Sequence, residues 1–156
     1  MRKLLTIVVA DDHAIVREGL KLLLSTMEHV SVVAEAADGE TLTTIVRASS
    51  PDLVILDLGM PGVAGIQFIS ELRTVAPRMK ILVLTANIEP RTVRATIAAG
   101  ASGYLTKSGD PAELNAALDA MLRNEIYLSQ SVRFAIDDPR SHQPPPTSGN
   151  RPIPVS

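Results

Sequence analysis

Short, mostly apolar runs alternate along this chain with segments whose apolar residues recur at helical spacing, and that alternation leaves few folds open. Leu4 to Ala10, Val30 to Ala36, Leu53 to Asp57, Lys80 to Leu84 and Gly103 to Thr106 read as strands. Between them, Ala14 to Met27 sets Ile15, Val16, Leu20, Leu23, Leu24 and Met27 at helical intervals, and Gly39 to about Ala48 follows Asp38, a favoured cap. A third helix is expected from about Ala64 to Val75, a fourth from near Pro90 to Gly100, and a fifth after the Asp110-Pro111-Ala112-Glu113 start signal to about Asn124. Runs such as Leu53-Val54-Ile55-Leu56 are too uniformly apolar for a half-exposed edge; they belong in a parallel sheet covered on both faces. The expected fold class is α/β: a doubly wound five-stranded parallel sheet of flavodoxin-like order 2-1-3-4-5, built from five strand and helix units.

The ends of these strands carry the chemistry. Asp11 and Asp12 close the first apolar run and Asp57 closes the third. In a doubly wound sheet, ligands bind beyond the carboxyl ends of the strands, where the strand order reverses. With the order 2-1-3-4-5 that point falls between the strands ending at Asp11 and Asp57, so three like charges crowd into one crevice. Such a set of oxygen ligands calls for a hard divalent cation such as magnesium. The same edge receives Thr85 after the fourth strand and Lys107 after the fifth, adding a hydroxyl and an ammonium.

Composition narrows the field further. The 156 residues suffice for one domain and a tail, and aromatics at 3% leave Leu, Ile, Val and Ala to fill the core. The absence of cysteine excludes disulfides and thiolate metal sites and agrees with a cytoplasmic location. A net charge of −2 gives no general pull toward nucleic acid. Met1-Arg2-Lys3 and the run after it are too short for a secretion signal, and no run approaches the roughly 18 apolar residues of a membrane span. The expectation is a protein with no membrane partner.

Taken in order, Asp11-Asp12, Asp57, Met60-Pro61-Gly62 with Gly65, Thr85, and Tyr104 with Lys107 resemble the receiver domain of two-component response regulators, over about residues 4 to 124. Asp12-His13, Arg17-Glu18-Gly19, Glu35 to Gly39 and Gly100 to Leu105 are similar to the NarL/FixJ (LuxR-type) subclass. The resemblance implies a signalling protein rather than an enzyme. Asp57 is then the phosphoacceptor, charged by a sensor histidine kinase. Asp11, Asp12, Asp57 and the backbone carbonyl of Gly59 hold Mg2+, Lys107 and Thr85 bind the phosphoryl group, and Tyr104 turns inward as Thr85 moves. The face made by helix four, strand five and helix five changes with that movement, controlling homodimerisation or an output module. In the subclass that output is a DNA-binding helix-turn-helix domain after a linker, and this chain carries none.

Departures from the family pattern fall around the acceptor. Ala64 stands where Asp is common, Gly59 offers no side chain beside the phosphoryl group, and Asn87 offers an amide; Gly59 and Asn87 are expected to tune hydrolysis. His13 reads as a solvated helix start, and Asp12 has an alternative use as the cap of the first helix.

Three other functions are open to a chain of this pattern. A phosphohydrolase of the haloacid dehalogenase type wants a second Asp at the place of Gly59 as acid and base. A flavin or nucleotide site wants a glycine-rich cradle after the first strand. A receiver-like interaction module working without phosphorylation is expected to lack one of Asp57, Thr85 or Lys107.

Domain organisation follows from the proline distribution. Residues 1–126 read as the receiver domain. Residues 127–156 read as a short helix from Ser129 to Ile136 and then a linker or disordered tail, since six of the eleven prolines lie between Pro139 and Pro154.

Overall fold

The computed structural model describes residues 4–107 and 110–137. The proline-rich stretch expected to act as a linker lies outside the described residues. Strands β1 (Leu5–Ala10), β2 (Val30–Ala36), β3 (Leu53–Leu56), β4 (Lys80–Thr85) and β5 (Gly103–Thr106) alternate with helices α1 (Ala14–Ser25), α2 (Gly39–Ser49), α3 (Ile66–Val75), α4 (Pro90–Ala98) and α5 (Ala112–Leu122). The sheet is parallel throughout. Its order is 2-1-3-4-5-6, so the five-stranded expectation is corrected by one strand: β6 (Tyr127–Leu128) pairs with β5, and helix α6 (Gln130–Asp137) follows. Two residues are too few for a periodic signal, and β6 forms only because the edge of β5 offers it a partner.

Alternation along each strand divides the core into two layers. Val8, Val54, Leu56, Ile81, Val83 and Tyr104 face α2, α3, α4 and α6, where they meet Leu42, Leu72, Val93 and Val132. Ile7, Val9, Leu53, Ile55, Leu82 and Leu105 face α1 and α5, meeting Leu20, Leu24, Leu114 and Leu118. Both faces are covered, which explains why β3 is buried at every position.

Local chemistry sets the element ends. Asp38 caps α2 by accepting the Thr41 N–H at 2.7 Å, as expected. The N-cap of α1 is His13 rather than Asp12, and the His13 N–H donates to Asp11 Oδ1 at 2.8 Å. The loop after β3 is clipped to the start of α2, where the Gly39 N–H donates to the Pro61 carbonyl at 2.8 Å. A Cβ at Gly39 would lie 2.4 Å from the Gly62 oxygen, so only glycine lets the two backbones approach this closely. That clip holds the loop carrying Asp57.

At the opposite edge of the sheet, Arg73 of α3 reaches the turn after α4. Its Nε and Nη2 donate to the Gly100 carbonyl at 3.0 and 2.8 Å, and Nη1 donates to the carbonyls of Pro77 and Met79. Burial of the guanidinium lowers its pKa.

Candidate phosphoryl and metal site

The parallel register brings the expected residues to one rim. Ala10 lies opposite Leu56, so the next residue on each strand, Asp11 and Asp57, emerges side by side. Both are buried, whereas Asp12 is partly exposed. Thr85 ends β4 opposite Thr106 of β5, and the Lys107 N–H donates to the Thr85 carbonyl at 3.0 Å. This bond starts Lys107 back across the rim. Its Nζ lies 3.0 Å from Asp11 Oδ2 and 3.1 Å from Asp57 Oδ2.

The electrostatics follow from that crowding. Burial tends to raise the Asp11 pKa, but the His13 N–H, the Lys107 ammonium and the His13 ring together hold it below the ordinary carboxyl value. For Lys107 burial works downward, and the two carboxylates outweigh it and hold the ammonium above its ordinary value. Asp57 Oδ1 accepts the Gly59 N–H at 2.9 Å. A Cβ at Gly59 would stand 3.4 Å from that oxygen, so any side chain at position 59 would enter the acceptor's surroundings.

A cation fits the donor set on two grounds. Asp11, Asp12, His13 and Asp57 each bring one ligand atom within 4.8 Å of the others. In addition, Asp11 Oδ2 is buried, and its one partner among the described residues is the Lys107 ammonium 3.0 Å away, an ion pair that Lys107 shares with Asp57. A buried carboxylate oxygen served only by a shared ammonium keeps a lone pair that a hard cation would use.

Two contributors were not apparent from the residues alone. His13, read as a solvated helix start, keeps its ring 61% exposed but places Nδ1 2.9 Å from Asp11 Oδ1 and 3.1 Å from Asp12 Oδ1. Its place directly after the acid pair was the available signal. Arg17, one turn into α1, donates through Nη1 to the Asp11 carbonyl at 2.6 Å and pairs through Nε with Glu35 at 2.9 Å. The β1–β2 register, which sets Glu35 opposite Val9, makes that brace possible.

Thr85 and Asn87 sit at the same rim, and no described contact joins either side chain to Asp57. Thr85 Oγ1 accepts the Asn87 N–H at 3.3 Å, and Asn87 Oδ1 accepts the Glu89 N–H at 2.8 Å ahead of α4. Tyr104 is fully buried, and its hydroxyl donates to the Asn87 carbonyl at 2.5 Å. Burial pushes its pKa up to about 12. Along β5 the face expected to respond to the site is already covered by β6 and α6. Among the described residues, no helix is long and apolar enough to cross a membrane.

Residues 7–119 match the model of the response regulator receiver domain. The chain is 35% identical over 127 residues to the nitrate/nitrite response regulator protein NarL of Escherichia coli K12, covering 81% of this chain and 59% of the relative. The chain therefore spans little more than half of that relative's length. The crystal structure of a LuxR-family two-component response regulator from Aurantimonas sp. SI85-9A1 superposes with a TM-score of 0.82 at 37% identity, covering 88% of this chain and 99% of that one. The isolated REC domain of RcsB from Salmonella enterica serovar Typhimurium, solved with the phosphomimetic BeF3-, gives 0.81 at 30% identity, covering 86% and 100%.

Proposed function

The chain belongs to the response regulator receiver-domain family, and from that premise we propose that Asp57 accepts a phosphoryl group from the phosphohistidine of a sensor kinase. The observation that carries this reading is the placement of the Asp57 carboxylate between an acid pair and an ammonium 3.1 Å away. An Asp57 oxygen attacks phosphorus, the P–N bond breaks, and the imidazole leaves with that bond's electron pair, so that an acyl phosphate forms.

Asp11, Asp12 and Asp57, with the Gly59 carbonyl, would hold Mg2+. Magnesium, when bound, supplies positive charge that offsets the charge gathering on the phosphoryl oxygens. Lys107, now on Asp57 Oδ2, shifts to a phosphoryl oxygen as a point charge, and Thr85 donates its hydroxyl to another. Gly59 places no side chain beside Asp57 Oδ1, and Asn87 offers an amide two residues past Thr85, so these two positions would tune hydrolysis.

In this reading the chain is a cytoplasmic signalling module that keeps the group it takes, not an enzyme that releases product. Residues 1–126 form the receiver, and residues 127–156 lead from it toward an output. Phosphorylation controls homodimerisation or a DNA-binding transcriptional module outside this chain.

Acetyl phosphate with magnesium should add about 80 Da, the mass of one phosphoryl group. The addition should vanish in Asp57→Asn. No addition to the wild-type chain would overturn the reading in favour of an interaction module that works without phosphorylation.

A further inference from the structure

Three carboxylates converge on one imidazole nitrogen at the rim. His13 Nδ1 stands 2.9 Å from Asp11 Oδ1, 3.1 Å from Asp12 Oδ1 and 3.9 Å from Asp57 Oδ2. With metal–ligand bonds of about 2.1 Å, neighbouring corners of an octahedron lie roughly 3.0 Å apart and opposite corners roughly 4.2 Å. The two short distances fit neighbouring corners, and the longest approaches the spacing of opposite ones.

The backbone places this ring. The His13 N–H donates to Asp11 Oδ1 at 2.8 Å, and His13 is the extended N-cap of α1. Asp11 is only 1% exposed, so its carboxylate has little water to turn to instead. Lys107 Nζ, 3.4 Å from Nδ1, is the other charged group facing the ring, and it sits 3.0 Å from Asp11 Oδ2 while the ring meets Oδ1. Among the described residues no hydrogen bond engages His13 Nε2, and the side chain is 61% exposed. That nitrogen can therefore keep the ring proton while Nδ1 gives its lone pair to an ion.

The nitrogen matters for which ion is held. Magnesium takes oxygen ligands and keeps several waters, whereas zinc, nickel, copper and iron accept imidazole readily. One nitrogen beside three carboxylates adds affinity for those ions and little for magnesium. We propose that His13 Nδ1 is a metal ligand, completing with Asp11, Asp12 and Asp57 a mixed nitrogen and oxygen site that takes a first-row transition dication more tightly than Mg2+. The proposal rests on the reading of the rim as a cation site. Two classes of ion then compete for one place beside the acceptor.

The full 156-residue chain is titrated separately with Mg2+ and with Co2+, a probe whose visible spectrum reports its ligands and which shifts the proton resonances of a bound imidazole. Co2+ should bind more tightly than Mg2+, and its complex should show the shifted resonances of one imidazole. His13→Ala removes an exposed side chain and leaves the backbone capping bond in place. It should weaken Co2+ at least about tenfold, the lower end of what loss of even a supporting group costs a metal site, abolish the shifted resonances and leave Mg2+ affinity nearly unchanged. His29→Ala and His142→Ala should alter none of these. Unaltered Co2+ affinity in His13→Ala, or equal losses for both ions, overturns the ligand role. So does a wild-type Co2+ complex without a shifted imidazole, or one whose signal survives His13→Ala. If neither ion binds, the cation site fails and the proposal with it. If Co2+ binds through His13 while acetyl phosphate and magnesium leave Asp57 unmodified, the phosphoacceptor reading fails and the ligand assignment stands.

Discussion

Lys107 Nζ lies 3.1 Å from Asp57 Oδ2, an ion pair between residues 50 positions apart in the chain. The same ammonium stands 3.0 Å from Asp11 Oδ2, so one cation balances two buried carboxylates. Removing it leaves like charges facing each other in a place where water is scarce. Lys107→Ala should therefore lose about 1–3 kcal/mol of stability without divalent ions, the usual penalty for leaving a buried partner unmatched. Added magnesium should recover more stability in the variant than in the wild type. Urea unfolding with and without magnesium checks both statements, and equal midpoints for the two proteins in the absence of metal would refute the first.

Glu35 predicts the acid limb of the stability curve. Lys21 first, and then Arg17, hold its carboxyl below the ordinary value of 4.5. A depressed folded pKa contributes stability that is complete above the unfolded value and is lost as pH falls through the folded one. Glu35→Gln should be less stable than the wild type near neutral pH, and the gap should close steadily below about pH 4.5. Chemical unfolding over an acid series measures it; a constant gap across the series would show that Glu35 acts by packing alone.

Tyr104 predicts the alkaline limb. Burial raises its folded pKa from 10.0 to about 12, so its contribution is complete below 10.0 and is lost as pH climbs through the folded value. Tyrosinate absorbance should therefore lag behind that of free tyrosine. Tyr127, raised by burial and then by Glu113, should lag as well. Tyr104→Phe should cost about 0.5–1.5 kcal/mol at neutral pH through the bond lost to the Asn87 carbonyl, and should flatten the alkaline decline.

Two glycines should respond in opposite directions to the same added methyl group. Gly100 has φ +122°, and a Cβ there would meet Arg73 Cγ at 2.8 Å. Gly100→Ala should destabilise by about 1–3 kcal/mol through backbone strain and displacement of the Arg73 clamp. Gly19 lies within α1 with nothing within 4 Å of a built Cβ. Gly19→Ala should stabilise by about 0.5–1 kcal/mol, since glycine is a poor helix former. Paired thermal unfolding curves decide the matter, and shifts of the same sign would count against this account.

The alternation of apolar runs with helical spacing determined the layered α/β architecture, because burial on both faces demands uniform apolar strands in a way no other class requires. The acids at strand ends were legible for the same reason: Asp57 after Leu53-Val54-Ile55-Leu56 has one natural place, the carboxyl rim of the sheet. The tertiary structure alone decided what depends on register and long-range pairing. Strand β6 exists because β5 had an open edge. His13 joins the acid cluster because α1 starts immediately beside the rim. Arg17 meets Glu35 because β2 lies beside β1, and Tyr104 shares its core layer with Val132, 28 positions later, because α6 folds back over the sheet. Periodicity is a local property that reports which face a residue prefers; which neighbour it finds on that face is settled only when distant elements pack.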